Sequence, residues 1–317
     1  MVNNSEKIVM AIDLGGTKIK MGLVRGNSIL TTGELDANSK FGLKERLPEI
    51  KDCMDNLLTN KSISLSQVFG VGISSPGIVD SINKRILSID KKYSDAPGID
   101  LTAWVKESWG LPLALENDAR AALIGEWQYG KGTGYDNVVM MTLGTGIGTS
   151  AVIEGKVLRG KHFQAGILGG HFTVNTKGGQ CNCGNYGCVE VEASTWNLQK
   201  LVTAHPDFSQ SVLGVQVKLD FQTIFRCAEN QDELAMKVRD ECLDVWSACA
   251  INLIHAYDPE LLILSGGIMA SGDYILPYIQ NKINQNAWTP WGKVKVCKAE
   301  FANTAALLGA SYLVLNS

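Results

Sequence analysis

No apolar run in this chain reaches the roughly 18 residues that a transmembrane helix requires. The first residues, MVNNSEKIVMAIDLGGTK, hold only a short apolar run broken by Asp13. Neither a membrane anchor nor a secretory signal is therefore expected. Lysine and arginine never form a dense run, and 29 basic against 32 acidic residues leave a net charge of −3. That balance argues against nucleic acid or an anionic membrane surface as a partner. Linkers and low-complexity segments are missing as well. Outside one cluster the cysteines are sparse: Cys53, Cys227, Cys242, Cys249 and Cys297 are scattered through apolar or helical patterns, as reduced core cysteines are. A cytoplasmic location is expected.

The chain is long enough, at 317 residues, for two domains with their own cores. Glycine is its one excess, and clusters of the 33 glycines mark tight backbone turns. KIVMAIDLG and KIKMGLVR read as a β-hairpin closed by Gly15, Gly16 and Thr17, with SILTTGEL as a third strand. A helix follows over LKERLPEIKDCMDNLLTN, started or kinked by Pro48, and then a buried strand, VFGVGIS. LPLALEN reads as a strand running into the helix DARAALIGEWQYG. A second hairpin, NVVMMTLG and GTSAVIEG, resembles the first: IDLGGTKIKMGLV and MTLGTGIGTSAVI share strand, Leu-Gly, small-residue turn and strand. A long helix around DELAMKVRDECLDVWSACAINLIHAYDPE ends at Pro259 before the strand LLILSGG, and AALLGASYLVL closes the chain as a helix. The pattern is α/β with two similar halves.

Three glycine-rich turns stand out. In DLGGTK, a backbone without Cβ atoms at Gly15 and Gly16 lets N–H groups approach phosphate oxygens; Thr17 adds a hydroxyl, Lys18 a charge and Asp13 a carboxylate suited to hydrated Mg²⁺. This is not the strand, GxxxxGK[ST], helix arrangement of a P-loop. LGTGIGTS carries Thr145 and Gly146 at its tip, and LSGGI carries Gly266 and Gly267. One such turn alone is an ordinary tight turn; three of them, two in matching hairpins, favour a nucleotide held between two domains.

HFTVNTKGGQCNCGNYGCVE crowds three of the eight cysteines into eight residues, giving His171, Cys181, Cys183 and Cys188 the spacing H-x9-C-x-C-x4-C. A Cys3His set is a closed, tetrahedral, structural zinc arrangement with no open position for water. Gly179, Gly184 and Gly187 supply the turns that the tight C-x-C spacing needs. Disulfides are the competing reading, but three cysteines leave one unpaired in a chain that reads as cytosolic. Elsewhere, Asp118 stands where a strand meets a helix, and by position alone it is a good N-cap. SSPG, Ser74–Gly77, reads locally as a plain turn with Pro76 fixing φ.

Taken in order, AIDLGGTK, GISSPGIVD, LENDARAALIGE, LGTGIGTS, CNCGNYGC, DPELLILSGGI and AALLGAS resemble the motifs of the ROK family, named for repressors, open reading frames and sugar kinases. The resemblance spans nearly the whole chain. It implies two duplicated ribonuclease H-like (actin-like ATPase) domains, with ATP in the interdomain cleft and a hexose deeper in it. The domains expected are residues 1–117, completed by the C-terminal helix at about 304–317, and residues 118–303 with a zinc-binding loop at 171–188. The resemblance makes Asp118 the catalytic base for the sugar 6-hydroxyl and Asn117 a sugar ligand, and it gives Gly77 a backbone contact to the sugar. Glu116 faces the other way along its strand and receives no role. His171, with one ring nitrogen on structural Zn²⁺, offers the other as a directed N–H donor to the sugar. Glu190 matches a second sugar-binding position. Domain closure on the sugar and a homodimer are further expectations.

One departure stands beside the zinc histidine. Family kinases carry A-G-E-[IL]-G-H there, whereas this chain reads QAGILGGHFTV, with Ile167 or Leu168 in place of the glutamate and one residue inserted. A hydrogen bond to a charged group is worth roughly 1.5–3 kcal/mol, so its loss costs about ten- to a hundredfold in sugar affinity unless Gln164 or another group substitutes. The expected activity is ATP-dependent phosphorylation of glucose or an N-acetylhexosamine such as ManNAc or GlcNAc, with fructose an alternative. A sugar-binding or sensory protein with weak or no turnover is the second reading. A DNA-binding repressor is not expected, because only 12 residues precede Asp13.

Overall fold

The computed structural model describes residues 6–317. Compact packing divides the chain into two units. The first holds the residues up to Gly134, together with Arg159–Ala165 and Glu300–Ser317; the second holds Tyr135–Leu158 and Gly166–Ala299.

The first unit is built on a sheet whose central strand, β1 (Ile8–Leu14), is apolar at almost every position because both of its faces are covered. β2 (Lys18–Arg25) pairs antiparallel with β1, and β3 (Ser28–Asp36) antiparallel with β2. On the other side β4 (Val68–Ser75) and β7 (Leu113–Asn117) continue the sheet in parallel, giving the order β3-β2-β1-β4-β7. Alternation along β1 sorts its side chains: Ile8, Met10, Ile12 and Leu14 join the core under helix α1 (Leu47–Asn60), while Val9 and Ala11 meet the C-terminal helix α9 (Ala305–Leu315). Pro48 lies in the first turn of α1, where its missing N–H leaves no bond unmade. Leu47, Ile50, Met54, Leu57 and Leu58 form the buried stripe of α1. A short hairpin, β5 (Ile78–Asp80) and β6 (Arg85–Ser88), and helix α2 (Leu101–Trp109) complete the connections to β7.

Helix α3 (Asp118–Tyr129) also belongs to this unit, so the expected break at residue 117 moves to residue 134. The cause is small residues. A Cβ on Gly125 would strike the Ala305 carbonyl and one on Gly309 the Ala121 carbonyl, so α3 and α9 touch backbone to backbone. Glu126, fully buried on α3, accepts from the N–H groups of Glu300 (3.0 Å) and Phe301 (2.6 Å), fastening the returning chain to the helix.

In the second unit β8 (Val138–Leu143) is central. β9 (Ile147–Ile153) is antiparallel to β8, and β10 (Lys156–Val157) to β9. β11 (Leu261–Ser265) and β12 (Lys295–Lys298) follow in parallel, giving the order β10-β9-β8-β11-β12. By position this is the strand order and direction pattern of the first sheet. Helices α4 (Val189–Ala193), α5 (Thr195–Thr203), α6 (Phe221–Glu229) and α8 (Gly272–Asn286) accompany the long α7 (Glu233–Tyr257). Trp246 of α7 is completely buried and donates its indole N–H to the Ala193 carbonyl at 2.8 Å. Asp258, with φ 45°, ends α7 in a left-handed cap ahead of Pro259. Among the described residues no helix is long and apolar enough to cross a membrane.

Candidate active site and metal centre

In the first unit the strand ends β1, β4 and β7 bring Asp13, Ser74 and Asn117 to one edge of the sheet. Asn117, not Asp118, caps α3: its Oδ1 accepts from the Arg120 N–H at 3.1 Å. The competing account of Asp118 as the cap therefore falls away. The Asp118 carboxylate is held through Oδ1, which accepts from Asn117 Nδ2 at 3.0 Å and from the Ala119 N–H at 2.8 Å. Burial pushes the Asp118 carboxyl above the ordinary carboxylate range, against the opposing pull of the Ala119 N–H, Lys92 and Asn117. Asp13 accepts from Ser74 Oγ at 2.6 Å, yet burial and then the charge of Asp118 push its carboxyl up to about 6. Two half-buried carboxylates within reach of each other's charge form a centre that attracts a cation.

Asn117 spends both amide hydrogens, on Asp118 and on the Gly77 carbonyl at 3.0 Å. One lone pair of Oδ1 is left for a ligand, so its main task is to orient Asp118. Gly77 in turn acts through Asn117, its carbonyl being engaged there. Lys18 departs from expectation: its ammonium is paired with Asp36 at 2.9 Å and Glu34 at 3.3 Å on the β2–β3 hairpin, and so is not available to the turn in this structure. Gly15, Gly16 and Thr17 do form the turn beside Asp13.

Glu116 also departs from its reading as a bystander. It is fully buried and bridges Arg120 at 3.4 Å and Arg159 at 2.7 Å. Arg120 carries the network on to the carbonyls of Phe163 and Ala165, both at 2.9 Å, and so fixes the segment just ahead of AGILGG. The signal in sequence was the charge pair at i and i+4 in ENDAR, inside an otherwise apolar stretch.

In the second unit the other two glycine turns lie side by side. Gly266, with φ +96°, is pressed against the Leu143 carbonyl, where any Cβ would collide, directly before the Gly144–Gly146 turn. Gly267 has open space over it. Thr145 is anchored through its carbonyl, which accepts from the Trp196 N–H at 3.1 Å. Glu190 closes over this turn: Oε2 accepts from the Ile147 N–H at 3.0 Å, and Oε1 from the Trp196 indole at 3.2 Å.

His171, Cys181, Cys183 and Cys188 present their ligand atoms within 4.8 Å of one another. Cys183 and Cys188 Sγ are 3.7 Å apart, and Cys181 Sγ lies 3.7 Å from His171 Nδ1. A tetrahedron with bonds of about 2.3 Å has edges of about 3.8 Å, so the four atoms fit zinc. Burial and then the neighbouring thiols push the Cys188 thiol up to about 12, and a thiolate there calls for a bound cation. Nδ1 faces the cluster, which leaves Nε2 for a ligand. In the AGILGG segment, Thr149 Oγ1 donates to the Gly166 carbonyl at 2.7 Å and accepts from the Gly169 N–H at 2.9 Å. Leu168, three residues before His171, is 38% exposed and brings no carboxylate to this place.

Glycine turns at the ends of two like-ordered sheets thus stand in one chain with a half-buried aspartate pair and a thiol-histidine cluster. The ROK family profile matches residues 9–317, and the chain belongs to the ROK family. It is similar to the glucokinase of Halalkalibacterium halodurans, 30% identical over 322 residues that cover 98% of this chain and 96% of that one. The crystal structure of a ROK family glucokinase from Streptomyces griseus, in complex with glucose and AMPPNP, is 28% identical with a TM-score of 0.80, covering 98% of this chain and 100% of that one. The xylose repressor of Bacillus subtilis is 26% identical over 94% of this chain and 76% of its own length. Within the family, the chain is a sugar kinase.

Proposed function

We propose that the chain transfers the γ-phosphoryl group of ATP to the 6-hydroxyl of a hexose or N-acetylhexosamine, with Asp118 as general base. Glucose, ManNAc and GlcNAc are the first sugars to try, and fructose the next. The observation that supports this reading most is the division of labour at the start of α3: Asn117 takes the cap and holds Asp118, leaving a half-buried carboxylate oriented through one oxygen. Phosphoryl transfer needs little covalent chemistry from a protein; it needs positioning, charge balance and a proton acceptor. Asp118 would accept the hydroxyl proton, and Asp13 would hold hydrated Mg²⁺ beside the amides of Gly15, Gly16 and Thr17. Thr145, Gly146, Gly266 and Gly267 would line the nucleotide, with Glu190 and His171 Nε2 on sugar hydroxyls. Zn²⁺ bound by His171, Cys181, Cys183 and Cys188 would supply fixed geometry rather than chemistry. The shared strand order of the two sheets supports duplication of one ancestral unit. A cytoplasmic homodimer completes the reading, on the strength of the family resemblance.

An ADP-release assay over hexoses and hexosamines, on the wild type and Asp118→Asn, tests it. The substitution is expected to lower kcat about 1,000-fold. No ADP with any sugar, or full activity in Asp118→Asn, sinks the proposal. The exposed Leu168 in place of a carboxylate favours one second reading, a sugar binder with weak turnover; calorimetric sugar binding without ADP release is its mark.

A further inference from the structure

The Asp13–Lys18 turn has a cation that no motif singles out. Tyr93 is completely buried, and its hydroxyl donates to the Gly15 carbonyl at 2.9 Å. Its backbone N–H donates to the Ser39 carbonyl at 2.7 Å, and Ser39 Oγ donates to the Gly16 carbonyl at 2.9 Å. The loop after β6 is thus stapled to the turn from both sides. Lys92, one residue earlier and half-buried, is carried over Gly16: a Cβ built there would stand 2.7 Å from Lys92 Cε and 2.9 Å from Nζ. The charge of this ammonium reaches the Asp118 carboxylate, which also faces Asp13, while Lys20 faces Asp13 from β2. Lys92 makes no ion pair among the described residues, in contrast to Lys18 with its two acids. A half-buried, unpaired ammonium over a glycine turn, with its charge felt at a half-buried carboxylate, is a ready place for an anion.

We propose that Lys92 is a further catalytic residue, whose ammonium contacts the phosphoryl group as it passes from the Asp13–Lys18 turn to the sugar hydroxyl. This rests on the reading of that turn as the phosphate site and of Asp118 as the base. The bond between the γ-phosphorus and the β,γ-bridging oxygen breaks, a bond from phosphorus to the sugar oxygen forms, and the hydroxyl proton goes to Asp118. ADP leaves with the electron pair of the broken bond. Lys92 keeps its proton throughout and balances the charge on the equatorial oxygens, where fixed donors act most strongly.

Lys92→Met and Lys92→Arg test the assignment. With the best sugar, Lys92→Met is expected to lose about 100-fold in kcat with the sugar KM within about threefold, and Lys92→Arg to recover about a tenth of wild-type turnover. Calorimetry with Mg·AMPPNP and Mg·ADP, which needs no turnover, should show AMPPNP binding weakened about tenfold more than ADP binding in Lys92→Met. A kcat within about threefold of wild type overturns the proposal, as does equal weakening of both nucleotides, which marks a structural role. If the wild type phosphorylates no sugar, it is the kinase reading that fails, and the AMPPNP-to-ADP difference still decides whether Lys92 meets the γ-phosphoryl group.

Discussion

The two hairpins that begin the two sheets share their strand order and differ in what stands at one register position. In the first, Asp13 lies beside Ser74 of the neighbouring parallel strand; in the second, Thr142 lies beside Ser265. A half-buried carboxylate in one unit corresponds to a hydroxyl in the other. The turns diverge likewise: Lys92 and Tyr93 crowd the first from a neighbouring loop, whereas Glu190 reaches the backbone of the second. One topology thus carries a cation-attracting turn and a turn already furnished with its own carboxylate. The chemistry resides in single positions grafted on a repeated frame.

Among variants that separate the two turns, erasing the carboxylate of the first should have the largest effect. Asp13→Asn is expected to cost about 100-fold in kcat, measured by ADP release at saturating sugar. The same variant should alter stability in the opposite direction. Asp13 has a folded pKa raised to about 6, so its stabilising contribution is full below the ordinary value of 3.8 and is lost as pH rises through 6. Chemical denaturation of the ligand-free wild type should therefore show stability falling between those values, by on the order of 2–3 kcal/mol, and Asp13→Asn should flatten the slope. A wild-type curve flat across that window would contradict the desolvation of the Asp13 carboxyl. For Asp118, raised in the same direction, kcat/KM should fall at low pH with its midpoint above the usual carboxylate range.

If the proposed zinc is bound by the cluster, the second unit should respond to its loss with binding rather than chemistry. Cys183→Ser is expected to bind less zinc and to raise the sugar KM about ten- to a hundredfold with a smaller change in kcat, read by metal analysis beside steady-state kinetics. An unchanged KM in a zinc-free variant would detach His171 and Glu190 from the sugar. Lys18→Met should have the smallest effect, with kcat and nucleotide KM within about twofold of wild type, because exposed ion pairs contribute little. A large loss would restore Lys18 to the turn.

Much of the frame was legible beforehand because its signals are local. Both hairpins, the buried strands Val68–Ser75 and Leu261–Ser265, and the long helix ending before Pro259 follow from periodicity and turn residues. Helix α8 was not read, and Pro277 inside it explains why. The unit boundary was missed because Gly125 and Gly309, 184 positions apart, determine it only once α3 and α9 meet. At the site the sequence spacing already grouped His171, Cys181, Cys183 and Cys188, which the fold brings together. Lys92, Ser74 and the Arg159 arm of the Glu116 network were not legible, since each depends on a partner from a distant segment. Lys18 shows the converse: adjacency in sequence to a glycine turn says nothing about Glu34 and Asp36 across the hairpin, which hold its ammonium in this structure.

The seam of α3 against α9 bears on how the chain is made. The first unit's sheet emerges early in synthesis, yet Val9, Ala11 and Val24 wait for a helix that ends at Leu315. The middle of the chain can condense around β8 while the first sheet still lacks a cover. The part translated first is finished last, and a ribosome stalled before residue 305 would leave an apolar sheet face open to chaperones and proteases.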